Sequence, residues 1–246
     1  MRKCAYCNGQ GKLTREHVFP NFLQRRQPFY RTFVDRGRDA SARKASPTVR
    51  DVCATCNNGP LSVLDSYGQK LFDKYFSIFV DPPINLNFRY NYHALLRWLL
   101  KLSYNDGRTH HENTSIYRQL IPYILGSTNS CPFATSILVG IIEPSGTTPD
   151  EQTRGLGSLL YPKLNRFANL NPPIRDSLLG RLMSMNSYLF VVIVWKPRTP
   201  RPKRKGIIRQ IATEIKMTEL NPLSIQVRLK EASIDTRRYI LSGRQM

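Results

Sequence analysis

Two Cys-x-x-Cys pairs, Cys4/Cys7 and Cys53/Cys56, bracket an adjacent Glu16-His17, and Asn57-Asn58 directly follows the second pair. Two thiolates separated by two residues can grip one metal from a tight turn, and two such turns complete a tetrahedral Cys4 site of the structural-zinc kind. The 45 residues between the pairs exceed the spacing of a compact zinc ribbon, so a shared ion would tie remote stretches together. With every position filled by protein, that zinc would hold the fold and leave catalysis to other groups. Its binding can contribute roughly 10–16 kcal/mol to a small module. Glu16 offers a hard carboxylate oxygen and Asn57 an amide oxygen, donors that suit Mg²⁺ or Mn²⁺, and Asn58 is a second amide for the same ion. His17, neutral near its ordinary pKa, can take a proton from an attacking water. An ion on these donors would coordinate a phosphate and stabilise the leaving oxygen. Clamping Cys7 to Cys56 brings both halves of this arrangement to one point.

The elements that must position these groups are short at first and longer later. Residues 1–60 are rich in turn formers, with Asn8-Gly9-Gln10-Gly11 supplying the turn after the first pair. Extended segments near 31–35 and 48–52 read as strands, flanking an exposed loop or hairpin tip over 36–46. Asn58-Gly59-Pro60 resembles a helix entry, with Pro in the first turn. The spacing of Leu61, Leu64, Leu71, Phe72, Tyr75 and Phe76 predicts a helix from about 60 to 79, with an interruption at Gly68. Asp81-Pro82-Pro83 ends it and sets the expected boundary between a first module, 1–81, and a larger region, 82–246.

In the larger region, 92–104 reads as an apolar helix closed by Asn105-Asp106-Gly107, and 113–125 as another helix. Residues 134–142 and 187–195 have the β-branched and aromatic content of buried strands, with further strands expected over 207–217 and 224–229. Short helices are expected within 155–185, around the Asn171-Pro172-Pro173 break. The fold class is therefore α+β, with a mostly antiparallel sheet. Lys196 to Lys205 carries six Lys/Arg and three Pro in ten positions and is expected to be an exposed loop.

Charge indicates the partner. The 246 residues hold 37 Lys/Arg against 17 Asp/Glu, a net of +20. The excess concentrates at the two ends, +8 over 1–60 and +9 over 195–246, against +3 between. Such a balance favours nucleic acid over membrane as the anionic partner. Arg15 and Arg50 in the first module, and Lys203, Arg204 and Lys205 in the second region, are the candidate phosphate contacts. An apolar fraction of 41% suits a globular core. Five cysteines, four of them in CxxC pairs, argue for metal in a reducing compartment over disulfides, with Cys131 an inert thiol. The start of the chain does not resemble a signal peptide, and the apolar run 188–195 is too short to span a bilayer, so a cytoplasmic location is expected. Neither a P-loop nor a dinucleotide glycine fingerprint is present, which argues against NTP hydrolysis and redox chemistry. His93 is expected to be a packed or interfacial residue, and the His110-His111-Glu112 run, which could bind a metal, is assigned no role.

Cys4-x-x-Cys7, the stretch Thr14-Arg15-Glu16-His17-Val18-Phe19-Pro20 and the stretch Val52-Cys53-x-x-Cys56-Asn57-Asn58-Gly59 together resemble the HNH endonucleases. The resemblance covers roughly residues 1–75. It implies a ββα-metal core: a strand hairpin followed by a helix, gripping one catalytic divalent ion. It further implies that Glu16 and Asn57 are ligands of that ion, that His17 is the general base, and that the four cysteines bind zinc. The family's middle Asn or His has one counterpart between Val18 and Cys53, Asn21, which lies early. A backbone carbonyl from the strand before Cys53 is the alternative support for His17, and Asn58 can assist or exchange with Asn57. The expected activity is hydrolysis of DNA phosphodiester bonds with Mg²⁺ or Mn²⁺, in a setting such as prokaryotic genome defence or mobile elements. The alternatives are a noncatalytic zinc module that binds nucleic acid through its basic surface, and an RNA nuclease that acts within a complex, as a homo-oligomer or with a protein partner.

Overall fold

The structure is a computed structural model, and it describes residues 3–26, 32–34, 41–43, 48–77, 80, 85–141, 163–166, 174, 176–185, 187–214 and 216–229. Helices are mixed with antiparallel sheets, the α+β class. The chain divides into two units, residues 1–74 with 93–132, and residues 75–92 with 133–246. It therefore crosses between units three times, not once after residue 81, because the helix beginning near Tyr92 belongs almost wholly with the N-terminal unit.

In the first unit, strand β1 (Leu13–His17) is followed by helix α1 (Asn21–Arg26), by the short strands β2 (Thr32–Val34) and β3 (Ser41–Arg43), and by β4 (Thr48–Cys53). β1 pairs antiparallel with β4, and β2 with β3. Of the expected loop tip, 36–46, residues 41–43 form β3 and the rest lies outside the described residues.

The helix after β4 starts earlier than the sequence suggests. It opens with α2 (Ala54–Cys56), where the Cys53 sulfur accepts the Cys56 N–H, and passes through a wide turn, Asn57–Leu61, into α3 (Ser62–Leu71). The second cysteine pair is thus itself the helix entry. Pro60, which cannot donate a backbone hydrogen bond, is accommodated by the wide turn and by a kink at Gly59 (φ −97°, ψ −110°). A second wide turn, Phe72–Phe76, ends the run.

Gly68 does not break α3. It is buried, and a Cβ there would overlap the indole of Trp98 on helix α4 (Tyr92–Thr109). The glycine lets α3 and α4 approach closely. α4 also continues past the expected stop at Asn105-Asp106-Gly107, and every residue from 98 to 107 is buried. Lys101, Asn105 and Arg108 share one face of this otherwise apolar helix, and each finds a partner. Helix α5 (Ser115–Ile124) falls where expected.

The second unit is built on a five-stranded antiparallel sheet. Its strands are β6 (Thr135–Ile141), β7 (Lys163–Arg166), β8 (Leu178–Met185), β9 (Tyr188–Trp195) and β10 (Thr218–Glu219), in the order β10-β6-β9-β8-β7. β9, buried along all eight residues, is the central strand that its unbroken apolar run anticipates. β5 (Leu86–Arg89) pairs with β11 (Gln226–Leu229). Phe88 and Phe76 meet Tyr188 and Phe190 in an aromatic cluster, the rings of Phe76 and Tyr188 lying 4.8 Å apart.

One expectation fails in this unit, and another falls largely outside the described residues. Residues 201–214 form helix α6 (Arg201–Glu214), where the sequence suggests a basic loop and then a strand over 207–217. Pro202 lies in the first turn, where its missing N–H costs nothing. Ile207, Ile208 and Ile211 pack into a cluster with Leu138, Leu182, Val191 and Ile193, an i, i+1, i+4 pattern that a helix satisfies and a strand does not. Within 155–185, residues 155–162 and 167–173 lie outside the described residues, and β7 and β8 occupy ground where short helices are expected from the sequence.

Candidate cysteine cluster and the acid–imidazole–amide site

The four paired cysteines converge, with all sulfurs within 4.8 Å of one another and Cys7 Sγ 3.6 Å from Cys53 Sγ. A tetrahedral zinc with bonds of about 2.3 Å would set its sulfurs about 3.8 Å apart, so the cluster can close on one metal ion with small movements. Backbone N–H groups already point at the sulfurs: Gly9 at Cys7 (3.4 Å), Cys53 at Cys4 (3.3 Å) and Cys56 at Cys53 (3.5 Å). The first turn closes through Cys4 N–H to the Gly9 carbonyl (2.9 Å) with Asn8 left-handed (φ 57°), and Ala5 N–H docks it on the Asp51 carbonyl (2.8 Å). Burial pushes the Cys4 thiol up, but the N–H groups of Cys53, Cys7 and Tyr6 outweigh it and bring the thiol down to about 7. Burial and the neighbouring Cys53 and Cys7 sulfurs push Cys56 far the other way. Four sulfurs this close cannot all ionise unless a cation joins them. Cys131 is half-buried and lies in another part of the chain.

The acid and the imidazole end β1 beside an irregularity in its pairing with β4, and the amide of Asn57 bonds to the same strand. The register with β4 shifts between Thr14 and Glu16, where Arg50 and Asp51 of β4 stand opposite the single residue Arg15, so the bulge lies in β4. Asn57 latches β1 at this point: its Nδ2 donates to Thr14 Oγ1 (2.8 Å) and to the Arg15 carbonyl (3.0 Å), while Thr14 Oγ1 donates to the Val52 carbonyl (2.8 Å). With its nitrogen committed, Asn57 has its amide oxygen left to offer a cation. Glu16 faces inward and is 5% exposed. His17 is half-buried; burial and the charge of Lys101 hold its pKa below the ordinary imidazole value, against the pull of Asp65. Asn58 is exposed and takes no part in the latch.

Sequence reasoning missed four residues here, Asp65, Lys101, Asn105 and Arg108, all far away along the chain. Lys101 of α4 is fully buried, and its ammonium lies 2.6 Å from Glu16 Oε1 and 2.6 Å from Asp65 Oδ2 of α3. Burial pushes the Glu16 carboxyl above the ordinary carboxylate range, opposed by Lys101. One turn further along α4, Asn105 Nδ2 donates to Glu16 Oε1 (3.4 Å) and to the His17 carbonyl (3.2 Å), and its Oδ1 accepts from the Tyr6 hydroxyl (2.8 Å) and from Arg108 (2.6 Å). Arg108 also pairs with Asp51 and lies over the Tyr104 ring, 4.5 Å from its centroid. α4 thus holds both the first cysteine turn and the Glu16-His17 strand end. The available signal was a stripe of polar residues, 101, 105 and 108, on a helix otherwise too apolar to carry them.

Beside Asp65 lies an open pocket of about 370 Å³, lined also by Asn21, Arg25, Ser62, Ser66 and Gln69. Arg15 and Arg50 are exposed on β1 and β4. Lys203, Arg204 and Lys205 lie on α6 in the second unit, Lys203 and Lys205 exposed and Arg204 half-buried. Outside this site, His93 meets the Tyr123 hydroxyl at 2.8 Å and His110 lies 3.4 Å from Asp106, as structural residues would. Among the described residues, no helix is long and apolar enough to cross a membrane. Family models, curated proteins and solved structures were compared with the chain, and none matches.

Proposed function

We propose that this protein is a metal-dependent endonuclease of the HNH kind, hydrolysing phosphodiester bonds in DNA, with a zinc ion on Cys4, Cys7, Cys53 and Cys56. The observation that carries this reading is the latch of Asn57 on Thr14 and Arg15 of β1, which joins the residue after the second cysteine pair to the strand that ends in Glu16-His17. A two-stranded hairpin that runs directly into a helix, with an acid, an imidazole and an amide at the junction, is the arrangement a ββα-metal nuclease requires.

The donor set suits a divalent ion. Glu16 supplies a carboxylate, Asn57 an amide oxygen, and the buried ammonium of Lys101 already stands at the carboxylate as a cation. When bound, Mg²⁺ or Mn²⁺ would neutralise charge on the phosphate and on the leaving 3′ oxygen. His17, kept neutral, takes the proton of the water whose oxygen attacks phosphorus. The bond from phosphorus to the 3′ oxygen then breaks, and that oxygen takes a proton from solvent. Arg15 and Arg50, exposed on the hairpin, and the basic face of α6 supply positive charge for the backbone of the nucleic acid.

One observation favours the noncatalytic reading: Glu16 is engaged by Lys101, so a protein that only binds nucleic acid would need no further ion there. Incubation of the zinc-loaded protein with supercoiled DNA and with RNA, with and without Mg²⁺ or Mn²⁺, separates the readings. The nuclease reading expects divalent-dependent nicking of DNA that falls by about 10²–10⁴-fold in His17→Ala with unchanged thermal stability. Binding without cleavage by the wild type under every condition supports the adhesive module, and cutting of RNA alone moves the substrate class.

A further inference from the structure

Two carboxylates and one ammonium leave the Glu16–Lys101–Asp65 group with a formal charge of −1, in a place where charge is costly unless it is matched. Lys101 bridges the acids at 2.6 Å on each side. Asp65 uses Oδ2 for that bridge, while its buried Oδ1 has no hydrogen-bond partner. Asp65 also lines the open pocket that Arg25, Ser62 and Ser66 border, so the group has an approach from solvent. Hard oxygen donors around a cation already in place, with Asp65 Oδ1 left unpartnered, mark a seat for a positive ion.

We infer that Lys101 is a built-in competitor for the divalent ion, its ammonium occupying a seat between Glu16 and Asp65, and that Asp65 is a second carboxylate ligand of that ion. The inference rests on the proposed function only in taking Glu16 as a cation ligand. A divalent ion entering the seat converts a charge of −2 on the two acids to zero and displaces the ammonium toward the pocket. Lys101 thereby sets how much free Mg²⁺ or Mn²⁺ the protein needs. It is a positioning residue in the metal-free protein, holding Glu16 at the end of β1.

The test is Mn²⁺ binding by the full-length, zinc-loaded protein, read from the electron paramagnetic resonance signal of free Mn²⁺, together with melting temperature with and without Mn²⁺. Lys101→Met is expected to bind one Mn²⁺ at least tenfold more tightly than wild type. Its melting temperature should fall without Mn²⁺ and recover with it, because the ion replaces the missing positive charge. Adding Asp65→Asn to Lys101→Met should remove the gain. Where Lys101→Met does not retain zinc, Lys101→Gln, which keeps a donor toward Glu16, is read on the same scale. Affinity unchanged or weakened in both variants overturns the inference, as does failure of both to fold even when Mn²⁺ is present. None of these readouts involves cleavage. A protein that never cuts but shows the gain keeps this inference and loses the nuclease; one that cuts without the gain does the reverse.

Discussion

The first unit contains two clusters of ionisable side chains that solve opposite problems. Four cysteine sulfurs lie within 4.8 Å of one another, with backbone N–H groups pointing at them as a source of positive potential. Glu16 and Asp65 have a full positive charge of the chain's own between them. The cysteine cluster can be completed by an ion from outside, whereas the carboxylate cluster has its counter-charge within the chain. A soft, closed, four-ligand site suits a permanent structural metal; a hard, open site with an internal counter-charge suits one that comes and goes.

The largest effect that separates the clusters should come from the cysteines. Stripping metal with a strong chelator, or changing Cys56→Ser, should unfold the first unit, because a zinc on four thiolates carries roughly 10–16 kcal/mol of apparent binding energy. Circular dichroism and a metal assay would check this; a folded, metal-free protein would remove the distinction between the two clusters. A smaller effect is expected at Gly68, where α3 and α4 approach closely. Gly68→Ala would drive its Cβ into the Trp98 indole and cost about 1–3 kcal/mol in urea unfolding. Since Asp65 and Lys101 lie one turn away on the same two helices, this variant should loosen the carboxylate cluster and leave the zinc content unchanged. Loss of zinc in Gly68→Ala would mean that the two clusters are not separable.

What the sequence disclosed and what it hid follow the same division. The cysteine cluster is legible because CxxC turns are local and their chemistry requires partners, and Asn57 is legible because it adjoins Cys56. Glu16's partners are not. Lys101 and Asn105 lie 85 and 89 residues beyond it, on a helix whose apolar content suggests a core element that should stop at Asn105-Asp106-Gly107. The helix continues because those polar groups are satisfied inside, an outcome that tertiary contact decides and local propensity cannot. Gly68 reads as a helix interruption, although its small size is what the opposing Trp98 demands. In the second unit, β6 and β9 are evident from their β-branched runs. The basic stretch that opens α6 reads as loop because its prolines, tolerated in a helix's first turn, carry the opposite meaning elsewhere.

Whether the buried ammonium stands where a divalent ion goes is open to one direct measurement. Diffraction from crystals grown with zinc and manganese, recorded on the absorption edges of both elements, addresses it. The expected result is zinc on the four cysteine sulfurs and manganese on Glu16 and Asp65, with the Lys101 ammonium withdrawn from between them. Manganese absent from those carboxylates at saturating concentration, with Lys101 still bridging, would contradict it.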